Sequence, residues 1–103
     1  MTLTATVERV VVPGDQGEMK KLLRELRSGA MLRPDFVPGR SLVDARSPNI
    51  LLTVGTWSSM GAWENWERSP ERAAIISRIN ALLQKDPVVR LWLDEHDAPP
   101  GAD

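Results

Sequence analysis

Ile50-Leu51-Leu52-Thr53-Val54-Gly55-Thr56-Trp57, residues 50–57, reads as a strand that is apolar at both odd and even positions. Side chains alternate between the two faces of a sheet, so such a strand has to be covered on both. One layer of helices covers only one face, and a second cover is needed for the other.

The segments on either side supply the first cover. A Ser47-Pro48-Asn49 turn precedes the strand, and Leu42 to Arg46 before it reads as a short polar strand, so a hairpin joins strands two and three. Asp44 and Arg46 share a face of that strand, as a polar pair at a pocket or as its wet outer side. Arg33-Pro34-Asp35-Phe36-Val37-Pro38-Gly39 is too rich in proline to be regular and is read as a connection. Further upstream, Thr4 to Val12 is a strand closed by Pro13-Gly14. Asp15 with Glu18 matches a capping box, and Met19, Leu22, Leu23 and Leu26 then recur at helical spacing in a helix that ends near Gly29.

Downstream, Ser58-Ser59 caps a short helix carrying Met60, Trp63 and Trp66, and Ser69-Pro70-Glu71 restarts one with serine at the cap and proline in the first turn. Ala73, Ile75, Ile76, Ile79, Leu82 and Leu83 form its core stripe. Asp86-Pro87 ends it, and Val88 to Leu93 is the last strand. The order β-α-β-β-α-β is the ferredoxin-like α+β arrangement, a four-stranded antiparallel sheet with two helices on one face. One domain is expected over residues 1–96, with residues 97–103 a disordered tail.

Composition narrows the chemistry. A chain of 103 residues buries only roughly two-thirds of its unfolded surface, so a partner subunit is expected to add to a thin core. Thirteen basic and fourteen acidic residues, with no block of one sign, argue against nucleic acid. No apolar run approaches the roughly twenty residues of a membrane span, and Met1-Thr2-Leu3-Thr4 lacks the regions of a secretory signal, so a soluble, cytoplasmic protein is expected. Without cysteine, and with His96 the sole histidine, thiolate and multi-histidine metal sites are excluded. Tyrosine is absent as well.

The element order, together with Thr56-Trp57-Ser58-Ser59-Met60-Gly61-Ala62-Trp63 at the end of strand three, resembles the antibiotic-biosynthesis-monooxygenase family. Members carry a tryptophan there, then a short polar turn, then alanine plus an aromatic. Ser69-Pro70-Glu71-Arg72 resembles the break before the family's longer second helix, and the likeness spans about residues 4–94. The resemblance implies a homodimer in which two open sheet faces meet as a dimeric α+β barrel, which supplies the missing cover for strand three.

Alternation puts Leu51, Thr53, Gly55 and Trp57 on one face of strand three and Ile50, Leu52, Val54 and Thr56 on the other. The larger aliphatics are expected to face the helices, which turns Trp57 into the pocket; the alternative is that Trp57 fills the end of the core. Trp63 and Trp66, three apart on a helix, either complete an aromatic wall with Trp57 or serve as packing and dimer contacts. Gly55 marks a close approach of ligand or backbone, or a bulge. Arg90 and Trp92 share a face of the last strand, where an arginine steadies an enolate or phenolate, or pairs with an acid in solvent. These residues with Thr53 are the candidate substrate-binding set, with no catalytic residue assigned. His96, among Asp94, Glu95 and Asp97, is read as a solvated terminal residue.

The activity the resemblance implies is a cofactor-independent monooxygenase, needing neither metal nor flavin, that acts on a small aromatic such as a quinol, phenol or anthrone. The chain departs from the family's polyketide oxygenases at Thr53, which stands where an asparagine is expected four residues before Trp57. Haem degradation, carried out by related members, matches at Trp66, but Ile76 occupies the place of the histidine ligand and Thr4 to Val12 contains no asparagine. A dimeric barrel that binds a small ligand without turnover, or is purely structural, is the non-enzymatic alternative; an isomerase or cyclase needs an acid or base that the sequence does not single out.

Overall fold

The computed structural model describes residues 2–99. Strands β1 (Leu3–Val10), β2 (Phe36–Val43), β3 (Ile50–Trp57) and β4 (Val88–Leu93) form one antiparallel sheet in the order β2-β3-β1-β4. Helices α1 (Gln16–Met31), α2 (Met60–Glu67) and α3 (Pro70–Asn80) pack on one face of it, and a single 3-10 turn, Glu95–Asp97, follows β4. This is the ferredoxin-like α+β fold, with the second helical region broken at Arg68-Ser69. Of the tail expected at 97–103, Asp97 belongs to the 3-10 turn and residues 100–103 lie outside the described residues.

Strand β2 corrects the sequence reading, for it runs from Phe36 to Val43, not from Leu42 to Arg46. Two features let it absorb Pro38. β2 is an edge strand, where a missing N–H costs no ladder bond on the open side. The register also shifts between Pro38, paired with Gly55, and Ser41, paired with Thr53, so one extra residue bulges there. A side chain at Gly39 in this bulge would run into the Val54 carbonyl. Asp44 and Arg46 fall past the strand end. The Asp44 carboxylate accepts from the backbone N–H groups of Arg46 and Ser47, 2.9 Å each, and these bonds hold its pKa below the usual carboxylate value. That closes an exposed turn and makes no pocket pair.

The register sets which side chains meet the helices. Leu3 pairs with Trp57, Ala5 with Gly55, Val7 with Thr53 and Arg9 with Leu51, and this is the face turned to the helices. Ile50, Leu52, Val54 and Thr56 lie on the open face, half-buried. The expected assignment of faces in β3 is therefore reversed, and the aliphatics yield the helix side to Trp57.

Under the helices two core clusters form, one of Leu3, Ala5, Ala30, Trp57, Trp63 and Trp66, the other of Val11, Met19, Leu22, Leu51 and Ile79. Leu26 packs against both. Ile75, Ile76, Leu82 and Leu83 pack against the second, whereas Ala73 is exposed. The Pro13-Gly14 turn is present, with Gly14 at φ 101°, a conformation glycine adopts without strain. The capping box is not, since the Asp15 side chain makes no cap bond. Ser59 Oγ accepts from Ala62 N at 3.1 Å. The buried Ser69 Oγ both accepts from Arg72 N at 3.2 Å and donates to the Trp66 carbonyl at 2.8 Å. Ser69 thereby ties the end of α2 to the start of α3. Ser69→Ala should cost about 1–2 kcal/mol in urea unfolding, and Asp15→Ala should stay within about 0.5 kcal/mol of wild type.

Candidate functional site

A cavity of about 100 Å³ opens beside the first core cluster, with the sheet as its floor and α1 along one side. Trp57, at the end of β3, forms its end wall. Its ring centroid lies 4.7 Å from that of Phe36, 6.1 Å from Trp63 in an edge-on contact and 6.2 Å from Trp66 in a stacked one. Two guanidiniums back this wall: Arg33 lies 5.1 Å over Trp66 while pairing with Glu71 at 3.5 Å, and Arg72 lies 5.7 Å over Trp63.

Gly55 has a reason of its own. A Cβ there would come within 2.7 Å of the Phe36 ring, so it is this ring, lying across the strand, that requires glycine. Phe36 was assigned to a loop by its neighbouring prolines, and its place in the aromatic cluster follows only from the corrected β2.

The main polar feature is Arg9, which the sequence reading passed over. Its side chain points under the helices and is only 2% exposed. Among the described residues its one hydrogen bond is from Nη1 to Thr53 Oγ1 at 3.4 Å, and its Nε has no partner. It takes part in none of the ion pairs among the described residues. Burial, and secondarily the positive charge of Arg72, lower its pKa to about 10. Burial likewise lowers that of Arg72, against the opposing pull of Glu67. Arg9 thus remains a cation at neutral pH, without a counter-charge among the described residues. The signal was present in β1: Leu3, Ala5, Val7 and Val11 are apolar at alternate positions, and Arg9 interrupts them.

Of the candidate residues, Trp57, Trp63, Trp66, Thr53 and Gly55 line this one cavity. Arg90 and Trp92 do not; they lie opposite Thr6 and Thr4 on the open face, where the Trp92 indole donates to Thr6 Oγ1 at 2.9 Å. The cavity is on the helix side of the sheet, so of the two readings of Arg90 the one outside the cavity fits its place on the open face. His96 stays exposed on the C-terminal turn, 3.9 Å from Asp97.

Among the described residues, Arg9, Arg27, Arg40 and Arg72 line the cavity, with the hydroxyls of Ser41 and Thr53, and no carboxylate, imidazole or amine does. Positive charge at one end and indoles at the other make the cavity electrostatically suited to negative charge at the Arg9 end.

No family model and no curated protein matches the chain, but solved structures do. A conserved protein from Methanosarcina mazei superposes with a TM-score of 0.83 at 16% identity, over 89% of this chain and 91% of that one. A protein described as an antibiotic biosynthesis monooxygenase gives 0.80 at 21%, over 95% and 99%. A variant of SnoaB, a cofactor-independent oxygenase from Streptomyces nogalater, gives 0.83 at 16%, over 91% and 93%. The chain has the antibiotic-biosynthesis-monooxygenase fold. In its version of that fold, Ile76 packs against the second core cluster, outside the aromatic wall, and Thr53 presents its hydroxyl to Arg9.

A buried cation without a counter-charge costs stability. Arg9→Met keeps the stem and removes the charge, so it should raise stability by about 1–2 kcal/mol, roughly 5–10 °C in Tm for a domain of this size. Calorimetry on the unliganded variant checks the sign.

Proposed function

We propose that the chain is a cofactor-independent monooxygenase acting on a small aromatic of the quinol, phenol or anthrone type, bound in the cavity under α1. The observation that carries this reading is a buried Arg9, without an ion-pair partner among the described residues, lining the same cavity as a wall of three indoles, in a fold shared with a protein described as a cofactor-independent oxygenase. The ring stacks on Trp57, Trp63 and Trp66, and Arg9 stabilises the phenolate or enolate formed when the substrate loses a proton to water at the mouth. That anion passes one electron to dioxygen, and the radical pair couples to a peroxide. For an anthrone-like methylene, loss of water leaves a carbonyl: one oxygen atom enters the product, and the other leaves in water with the two substrate hydrogens.

The reading includes a homodimer closed by the open sheet faces. Support comes from Val37, Leu42, Val88 and Trp92, all exposed on that face beside half-buried Ile50, Leu52 and Val54, an apolar surface that a second copy would cover. Leu52→Asp should shift light scattering from twice the chain mass to once.

Two measurements test the chemistry. Oxygen uptake should match anthrone consumed one to one with no metal or flavin added. The described cavity residues include no side chain that ordinarily titrates between pH 5 and 9, so the rate should rise in a single limb set by the substrate's own ionisation. It should fall only near pH about 10, where Arg9 loses its charge. The lack of a lining acid or base also favours a second reading, a ligand-binding dimer without turnover; tight binding with no oxygen uptake would select it.

A further inference from the structure

The free edge of β2 is guarded along only part of its length. Edge strands offer unpaired N–H and C=O groups to any extended chain, and proteins block them with proline, bulges or charge. Over residues 36–40 this strand carries Pro38 and the bulge at Gly39. Ser41-Leu42-Val43 carries neither, and all three residues are exposed. The Asp44 N–H donates to the Ile50 carbonyl at 2.9 Å, so by alternation Leu42 bonds across to Leu52, while the backbone groups of Ser41 and Val43 point out of the sheet.

The groove beside this edge has a one-sided composition. A flank of α1 supplies Lys20, Arg24 and Arg27, aligned along the helix by their spacing, and Leu23, Val43 and Leu51 form an apolar floor. No carboxylate among the described residues lines the groove, and none of the three bases takes part in an ion pair. Arg33, Arg68 and Arg78 elsewhere on the surface each meet a glutamate. Ser41 and Val43 pair with Thr53 and Leu51 on the face turned to the helices, so the groove is distinct from the open face.

We propose that this groove docks an extended acidic segment of a partner protein, added to the four-stranded sheet as a further strand antiparallel to β2. Residues opposite Ser41 and Val43 exchange hydrogen bonds with them and turn their side chains toward α1, about 7 Å apart. Lys20 to Arg27 covers about 10 Å of helix, so a glutamate at each of these two positions reaches a base while its methylenes cover the exposed Val43. The residue between them faces the other way, beside exposed Leu42, and is apolar. The sequence that fits is acid, apolar, acid. This surface is independent of what the cavity binds.

Fluorescence anisotropy with a labelled Thr-Glu-Val-Glu-Thr amide at low ionic strength tests the proposal on the full-length chain. Wild type should bind it about five- to tenfold more tightly than the Thr-Gln-Val-Gln-Thr isostere, as two partly exposed charge pairs supply, and added salt should remove most of the difference. N-methylation of both glutamates keeps the charge and removes the strand donors, and should lower affinity about tenfold or more. Arg24→Gln with Arg27→Gln should abolish the preference for the acidic peptide. Val43→Pro, which deletes an outward N–H and no bond to β3, should weaken both peptides, with circular dichroism showing that the variants are folded. The methylated peptide keeps the strand-addition test intact should Val43→Pro not fold. No binding at millimolar peptide, equal affinity for the two isosteres, or indifference to N-methylation would each overturn the assignment; the last would make the groove a face for anions of any shape. Displacement of the peptide by an equal concentration of oligothymidylate would overturn it in favour of nucleic acid.

Discussion

The burial of Trp57 is the constraint on which the rest depends. Its indole, 2% exposed, meets Phe36, Trp63 and Trp66, and no position on the open face offers that contact. Side chains alternate along a strand, so sending Trp57 under the helices sends Gly55, Thr53 and Leu51 the same way. The antiparallel register carries this parity into β1, where Leu3 faces Trp57 and Arg9 faces Leu51. A slip of one residue would place Glu8 under the helices and Arg9 in the open. The indole wall and the buried cation are thus two consequences of one choice of face.

That choice has a cost, and magnitudes show why the fold tolerates it. A tryptophan removes roughly 150–250 Å² from water, at most about 4–6 kcal/mol each. An unpaired buried charge costs several kcal/mol after relaxation. Three indoles in one cluster outweigh one guanidinium, even with Arg72 adding a like charge nearby. Stability released by removing Arg9 would be stability the site gives up in exchange for a field inside the cavity, the usual relation between a strained functional group and the scaffold that holds it.

Local signals made the element order legible. The Ser59 and Ser69 caps, the Pro13-Gly14 turn and the α1 stripe each act over three or four residues, and each is found where the sequence puts it. Apart from the Asp15–Glu18 capping box, what failed depends on neighbours distant in sequence. Pro38 argues against a strand until β2 is known to be an edge with a bulge. In β3 both faces are apolar, so periodicity cannot say which one faces the helices; ranking aliphatics above Thr53 and Gly55 gave the wrong answer because the contacts of one indole decide it. Alternation in β4 likewise separates two faces without naming them, so the sequence leaves open which face Arg90 and Trp92 occupy, and the structure places them on the open one. Arg9, by contrast, could have been found: it is a lone charge among Leu3, Ala5, Val7 and Val11 on one face of β1, and alternation alone places it on the buried side.

The absence of a lining acid among the described residues bears on how Arg9 acts. A carboxylate beside the guanidinium would satisfy its donors and remove the stability cost, but it would also cancel the charge that a bound anion feels. At a buried guanidinium the interaction with a nearby negative charge is stronger than in water, and a cation already fixed in place requires no rearrangement to make it. Thr53 contributes one weak contact at 3.4 Å, enough to orient the guanidinium and too little to neutralise it. A neutral hydroxyl beside Arg9, in place of an acid, keeps the cation available to whatever negative charge enters the cavity.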